Sequence, residues 1–337
     1  MTIPSLVQFK RYGMKLRTID PTSLEATRGK RVLLRLSLNV PIADGVIRDD
    51  FRIIKSLPTL QALVEAGAHV TVISHLGSDG TASLTPVEKC LRKMLPGDYV
   101  VQENLRKDPR EQAGDESYAR ELTQDFDIFV NEDFPASHRA HASIVALPKF
   151  LPSYVGLQFA KEVEHLTPFL NPPAGSILVL GGAKLSTKLP LIESFLPKVE
   201  RIYLGSYYLN ERDKLPNSEK IVLPVDSVIE GGVVLDVGPR TLEVLQRAVR
   251  EARAVIWNGP LGKFETGHDK STLDFARALA SSDAKSVVGG GDSISAIRKL
   301  ELLDKFTFVS TGGGAMLDFL THGTLPGIEA ILNSPLS

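Results

Sequence analysis

Three glycine clusters follow short apolar runs in the second half of the chain. Ile177-Leu178-Val179-Leu180 enters Gly181-Gly182-Ala183-Lys184, Val287-Val288 enters Gly289-Gly290-Gly291-Asp292-Ser293, and Val309-Ser310-Thr311 enters Gly312-Gly313-Gly314. Glycine lets a backbone approach a ligand closely, and a helix N-terminus offers free N–H groups at the positive end of its dipole. Tight turns alone account for one such cluster; three in one sheet point to bound phosphate. Lys184 and Lys188 flank a helix start, where the dipole disfavours cations. As an i,i+4 pair they would repel by roughly 0.2–0.5 kcal/mol unless an anion lay between them. Pro190 is comfortable only in a first turn, so the spacing predicts a helix beginning near Ser186 or Thr187, with Lys184 in the preceding loop. Asp292 either offers a carboxylate oxygen to Mg²⁺ or caps the following helix, and Ser293 has the same two readings.

The first half carries different chemistry at its strand ends. Arg35 and Asn39 come from the first strand, His75 follows Val70-Thr71-Val72-Ile73-Ser74, and Arg106 follows Glu103-Asn104-Leu105. Arg139 and His141 lie in His138-Arg139-Ala140-His141, and Arg52 opens a helix. In a parallel sheet these residues converge on one edge, where arginine forks suit a phosphate or carboxylate. A phosphate cradle in one half and a cationic edge in the other suggest phosphoryl transfer between two bound partners. Such chemistry is mostly positioning and charge neutralisation and needs no side-chain nucleophile. Neither GxxxxGK[ST] nor GxGxxG occurs, so P-loop NTPase and dinucleotide dehydrogenase readings lose their main support.

The elements that must position these groups alternate along the chain. Strands are predicted at 31–36, 69–73, 127–130, 176–180, 201–204, 254–257, 286–288 and 306–309. Helical periodicity marks 52–66, 116–124, 241–251 and 272–280. This pattern predicts an α/β protein with two doubly wound parallel sheets. The boundary is placed near Pro152–Leu157, with residues 156–170 as a connecting helix ended by Asn171-Pro172-Pro173. The expected domains are therefore 1–155 and 156–325.

Composition agrees with this. The chain has 337 residues, 43% hydrophobic and 23% charged, with 39 Lys plus Arg against 40 Asp plus Glu. A net charge of −1 argues against a generally basic nucleic-acid binder. No apolar run nears the roughly 20 residues of a membrane-spanning helix. A single cysteine, Cys90, suggests a reducing compartment, so the cytoplasm is expected. Lys10, Arg11, Lys15 and Arg17 give the start a faint transit-peptide character, but an N-terminal extension is the preferred reading.

At these residues the chain resembles phosphoglycerate kinase over nearly its whole length. The matching strings include Asn39-Val40-Pro41, Ser74-His75-Leu76-Gly77, Glu103-Asn104-Leu105-Arg106, His138-Arg139-Ala140-His141-Ala142-Ser143, Gly181 to Lys188, Gly238-Pro239-Arg240-Thr241, Trp257-Asn258-Gly259-Pro260, Gly289 to Ser293, Ser310 to Ala315 and Leu325-Pro326-Gly327. The resemblance implies two Rossmann-like domains joined by a hinge, with the tail 326–337 packing back on the first. It implies a monomer that takes small-molecule substrates: MgADP and 1,3-bisphosphoglycerate, giving MgATP and 3-phosphoglycerate. It also implies that Arg35, Asn39, His75, Arg106, Arg139 and His141 hold phosphoglycerate, and that Arg52 stabilises the transferring group. Lys184 and Lys188 would meet the nucleotide and transferred phosphates, with Gly182, Asn258, Gly291 and Ser293 in the nucleotide loops. Asp292 would hold Mg²⁺, Glu265 the ribose hydroxyls, and the Gly313 amide the transferred phosphoryl.

The chain also departs from the family pattern. Ser37-Leu38-Asn39 stands where the family has Asp-Phe-Asn, and Ser78 where an arginine is expected. Each lost charge-assisted bond is worth roughly 1.5–3 kcal/mol, about ten- to a hundredfold in affinity; nearby Lys107 is a candidate substitute. Ser206-Tyr207-Tyr208-Leu209 leads quickly to the next strand, so a helix near the adenosine site is expected to be missing. Three functions stay open on these residues. They are an active shortened kinase, a non-catalytic anion- or nucleotide-binding relative, and a phosphotransferase for another acyl phosphate.

Overall fold

The computed structural model describes residues 7–8, 15–182 and 184–335. Most of the N-terminal extension expected from the sequence, and Ala183, lie outside the described residues. The chain divides into two compact units: one runs to Glu164 and takes up the chain again from Thr324, and the other spans His165–Gly323.

The first unit is built on five parallel strands: β1 (Arg31–Arg35), β2 (His69–Ile73), β3 (Tyr99–Val101), β4 (Ile128–Asn131) and β5 (Ser153–Val155). Their spatial order is β3-β2-β1-β4-β5, the doubly wound arrangement with a switch point between β1 and β4. Helices α1 (Phe51–Glu65), α2 (Thr85–Met94) and α3 (Glu116–Thr123) fill the connections. Both faces are covered. Val32, Leu34, Val70 and Val72 enter one core cluster, while Leu33, Ile73 and Phe129 enter another. This two-sided burial is why the strands read as continuous apolar runs rather than alternating ones. Strands β3 and β5 are edge strands of three residues, too short for the sequence pattern to mark.

Helix α4 (Leu157–Leu166) follows β5 and ends in a 3₁₀ turn, Thr167–Leu170. Its first turn is anchored in the first unit, because the Glu132 carboxylate accepts from the backbone N–H groups of Gln158 and Phe159, each at 3.0 Å.

The second unit repeats the plan with six parallel strands: β6 (Ser176–Leu180), β7 (Arg201–Leu204), β8 (Ile221–Val222), β9 (Ala254–Asn258), β10 (Lys285–Gly289) and β11 (Phe308–Val309). The order is β8-β7-β6-β9-β10-β11, again doubly wound, with its switch point between β6 and β9. Helix α5 (Leu189–Phe195) follows β6, and α6 (Pro239–Glu251) and α7 (Lys270–Ala280) flank β9. Then α8 (Gly291–Lys299) and α9 (Gly313–His322) each begin within a glycine cluster. Between β7 and β8 the described chain forms a 3₁₀ run, Ser206–Lys214, where a helix was expected to be missing. The last helix, α10 (Pro326–Leu332), belongs to the first unit. Arg17 clamps its C-terminus, donating to the carbonyls of Ile331, Ser334 and Pro335 at 2.7, 3.0 and 2.9 Å. No helix of the described residues is long and apolar enough to cross a membrane.

Candidate active site

In the first unit, strands β1, β2 and β4 deliver their C-terminal residues to one edge, as Arg35 pairs in register with Ile73 on one side and Asn131 on the other. Arg35, expected in the ligand site, lies buried at this edge. Its side chain is 0% exposed, and every arm of the guanidinium is committed within the protein. Nη1 pairs with Asp133, Nε donates to Ser143 Oγ at 2.8 Å, Nη2 approaches His75 Nδ1 at 3.3 Å, and Glu111 Oε1 lies 3.7 Å from Nη2. A buried charge is tolerated only when paired in this way. Asp133 and Glu111, both buried, are the groups that sequence reasoning missed. Glu111 also accepts from the Ser143 backbone N–H at 3.0 Å and hydroxyl at 2.5 Å. Asp133 stands two residues past β4, and that position was its only visible signal.

Above this buried centre lie the other expected residues. Arg106 donates through Nη1 to the Gly77 carbonyl, while its Nε and Nη2 are buried with no partner. Unpaired buried donors on a cation are expensive, and a bound anion would satisfy both. Burial, Arg139 and Arg35 all pull the Arg106 pKa down, so this is a strongly positive place. Arg139 is exposed beside His138. His75 is pushed well below its ordinary pKa by burial and by Arg35, Arg106 and Arg139. His141 is lowered to about 4 by burial and the same three arginines. Both imidazoles are therefore neutral at pH 7. Asn39 accepts from the Gly77 N–H at 3.0 Å, and its carbonyl accepts from Arg52 Nη1 at 2.8 Å. Arg52, the second residue of α1, is lowered by burial and held up by Asp133, Asp49 and Glu162.

The departures are also located. Ser37 Oγ is buried without a hydrogen-bond partner. Ser78 is exposed. Lys107, the candidate substitute cation, pairs with Glu103 at 3.1 Å.

In the second unit the glycine clusters lie at the ends of β6, β10 and β11. Gly181 and Gly259 approach so closely that a Cβ on either would collide with the other loop's backbone; Gly259 also has φ of +91°, a region left to glycine. The helix start differs from expectation, while Lys184 lies in the preceding loop as expected. A 3₁₀ turn, Leu185–Thr187, comes first, and α5 starts only at Leu189, with Pro190 in its first turn. Lys184 is thus exposed in the loop, while Lys188 is the N-cap and 7% exposed. Its Nζ turns back to the carbonyls of Gly181 and, at 3.1 Å, Asn258. The two lysines do not form an i,i+4 pair on one helix. Burial lowers the Lys188 pKa to about 8, with Asp292 opposing the shift.

Asn258 spends its side-chain amide on the Gly313 carbonyl at 3.2 Å, stapling two glycine loops together. Gly313 sits so close to Gly290 that a Cβ there would lie 2.9 Å from Gly290 Cα. Gly182, half-buried with φ of +80°, borders the Lys188 amine. Gly291 and Asp292 form the first turn of α8, whose N-cap is Gly290, so Asp292 is not the cap. Ser293 is 0% exposed and its Oγ has no partner. Glu265 is exposed in the 3₁₀ turn Phe264–Thr266. Its charge and burial raise the Asp292 pKa, against the pull of Lys188. Tyr208, also missed, is buried with its hydroxyl donating to Gly181 O at 3.2 Å.

A doubly wound α/β protein with a cationic strand edge in one unit and a glycine-rich strand edge in the other has the fold and chemistry of a phosphotransferase-type architecture. Comparison gives the family. The phosphoglycerate kinase model matches residues 23–96, 81–212 and 206–323. The chain is 38% identical to phosphoglycerate kinase of Thermus thermophilus, covering 90% of this chain and 97% of that protein. It is 32% identical to that of Leptospira biflexa over 95% and 99%. Among solved structures, phosphoglycerate kinase from Coxiella burnetii superposes with a TM-score of 0.77 at 30% identity, covering 94% of this chain and 98% of that one. The enzyme from Pyrococcus horikoshii OT3 gives 0.81 at 26%, covering 90% and 96%. The chain belongs to the phosphoglycerate kinase family. The Thermus alignment spans 379 positions against 337 residues here, so the relative carries segments that this chain lacks.

Proposed function

We infer that this chain catalyses phosphoryl transfer between 1,3-bisphosphoglycerate and MgADP, giving 3-phosphoglycerate and MgATP. The observation that carries the reading is Arg106, a buried cation with two unpartnered N–H groups at a strand-end edge shared with His75, Arg139 and Arg52, in a chain of this family. Arg106, Arg139, Asn39, His75 and His141 bind phosphoglycerate, and Arg52 neutralises the transferring group. In the second unit the amides of Gly182, Gly291 and Gly313 meet the phosphates, with Lys184, Ser293 and Lys188. Asn258 holds the loops and Glu265 takes the ribose hydroxyls.

Asp292 fits Mg²⁺. Its half-buried carboxylate makes no hydrogen bond among the described residues, and Glu265 adds negative charge beside it. No cluster of three metal-ligating side chains occurs among the described residues, so phosphate oxygens and water would complete the shell. When bound, the ion neutralises phosphate charge. The single cysteine supports a cytoplasmic setting, and a monomer is the family's common working form.

A second reading, a relative that binds nucleotide without turnover, is favoured by the partnerless Ser37 hydroxyl where the family pattern has a carboxylate. A coupled assay for ATP formation, with Lys188→Ala and Arg52→Ala as controls, separates the two. Turnover lost in both variants supports the first reading. Nucleotide binding with no turnover in the parent protein supports the second.

A further inference from the structure

Arg35 and His75 meet behind the edge of the first sheet, and the chemistry of that contact has only one form. Arg35 Nη2 lies 3.3 Å from His75 Nδ1 in hydrogen-bonding geometry. Asp133 Oδ2, the other group facing that nitrogen, is 3.6 Å away and already takes Arg35 Nη1. The remaining Asp133 oxygen accepts from Ala136 N–H at 3.1 Å. A guanidinium has five N–H donors and no acceptor. Arg35 therefore donates, Nδ1 accepts, and the single proton of the neutral ring is on Nε2. That second nitrogen makes no hydrogen bond to any described residue, and the histidine is 5% exposed.

We propose that Arg35 is a positioning residue for substrate recognition: it fixes His75 as the neutral Nε2–H tautomer, so that the ring offers an N–H donor, not a lone pair, to the anionic oxygens of phosphoglycerate. The identity of the anion rests on the functional reading above; the tautomer does not. The opposite arrangement, Nδ1–H on Asp133, would turn a bare lone pair toward an anion and repel it. The groups around the ring are Arg35 from β1, Asp133 from the turn after β4, Arg106 from the Leu105–Lys107 turn, and Arg139 and His141 from the following loop. Glu111 reaches Arg35 and His141 at 3.7 and 3.9 Å. The cations among them and the burial keep the ring uncharged. The donor is thus present across the range in which a free imidazole would titrate.

The direct test is a two-bond ¹H–¹⁵N spectrum of full-length protein labelled at histidine, with His75 assigned by its loss in His75→Gln. The expected pattern is an unprotonated Nδ1 and a protonated Nε2, unchanged from about pH 6 to about pH 8. An Nδ1–H pattern, or titration in that window, overturns the proposal. Kinetics supply a second arm. His75→Ala should raise KM for 3-phosphoglycerate about ten- to a hundredfold with a smaller change in kcat, and His75→Gln, whose amide keeps a donor, should recover most of it. Equal KM losses in the two variants overturn the proposal. In Arg35→Lys, KM should become pH-dependent below about pH 7; should that variant fail to fold, the spectrum of the parent protein decides. The predicted tautomer in a protein that binds no 3-phosphoglycerate would defeat the functional reading while leaving the Arg35–His75 assignment standing.

Discussion

The two units share a doubly wound plan and furnish their strand edges by opposite means. In the first, β1 ends in Arg35, Asp133 stands two residues past β4, and the edge rests on a buried ionic centre of Arg35, Asp133 and Glu111. In the second, β6, β10 and β11 run into glycine clusters, and the candidate site is a set of backbone loops with one buried amine, Lys188, tying two of them together. Fixed side chains suit a small, rigid acid whose charges sit at defined points. Backbone amides at helix starts suit a polyphosphate, which needs many donors and close approach more than any particular charge. One doubly wound sheet supports both because its strand ends are the fold's natural ligand edge.

The strongest way to break that comparison is Arg52→Ala. If the first unit works through side-chain charge at the transferring group, kcat should fall by roughly 10²–10³, while nucleotide affinity measured by calorimetry stays unchanged. A variant that weakens nucleotide binding instead would mean Arg52 serves the wrong reactant.

Lys188→Met probes the second unit. Its folded pKa, about 8, lies below the ordinary value of 10.5, so burying the charged amine is a standing penalty at lower pH. Substitution should therefore raise stability by roughly 1–3 kcal/mol near pH 7 even as turnover collapses. The two carbonyls keep other partners, Tyr208 Oη and the Gly181 N–H. The gain should shrink as pH rises from about 8 and vanish above about 10.5, where the wild-type amine is neutral in both folded and unfolded chains. Denaturant melts at two pH values measure it; a gain that grows with pH would contradict the burial argument.

Ser78→Arg sharpens the first unit's side. The residue is exposed, so an arginine fits without repacking, and KM for 3-phosphoglycerate should drop about tenfold. An unchanged KM would show that this chain binds its substrate without that contact. The smallest effect concerns Trp257, buried with its indole N–H on the Gly259 carbonyl at 2.8 Å. MgADP should alter its emission measurably, and 3-phosphoglycerate alone should not.

Much of this was legible along the chain. The strands at 69–73, 176–180 and 201–204 have the bounds read from their apolar runs. The glycine clusters also announced α8 and α9. The antiparallel ribbon Ser227–Glu230/Val233–Val237 was not legible, since its exposed Val228, Ile229 and Val233 imitate a core strand. Nor was the start of α5, where one proline satisfies several first-turn positions.

Residue type, order and local period were enough to determine two α/β sheets, a glycine-rich edge and a cationic edge. Only the tertiary structure decided which cations are paired within the protein and which keep unpartnered N–H groups. Arg35 and Arg106 look alike in sequence, yet one is consumed by Asp133 and Glu111 and the other keeps two N–H groups unpartnered. The reason is physical: whether a buried charge is spent or available depends on partners brought from roughly 100 residues away by strand pairing, and no local pattern encodes that.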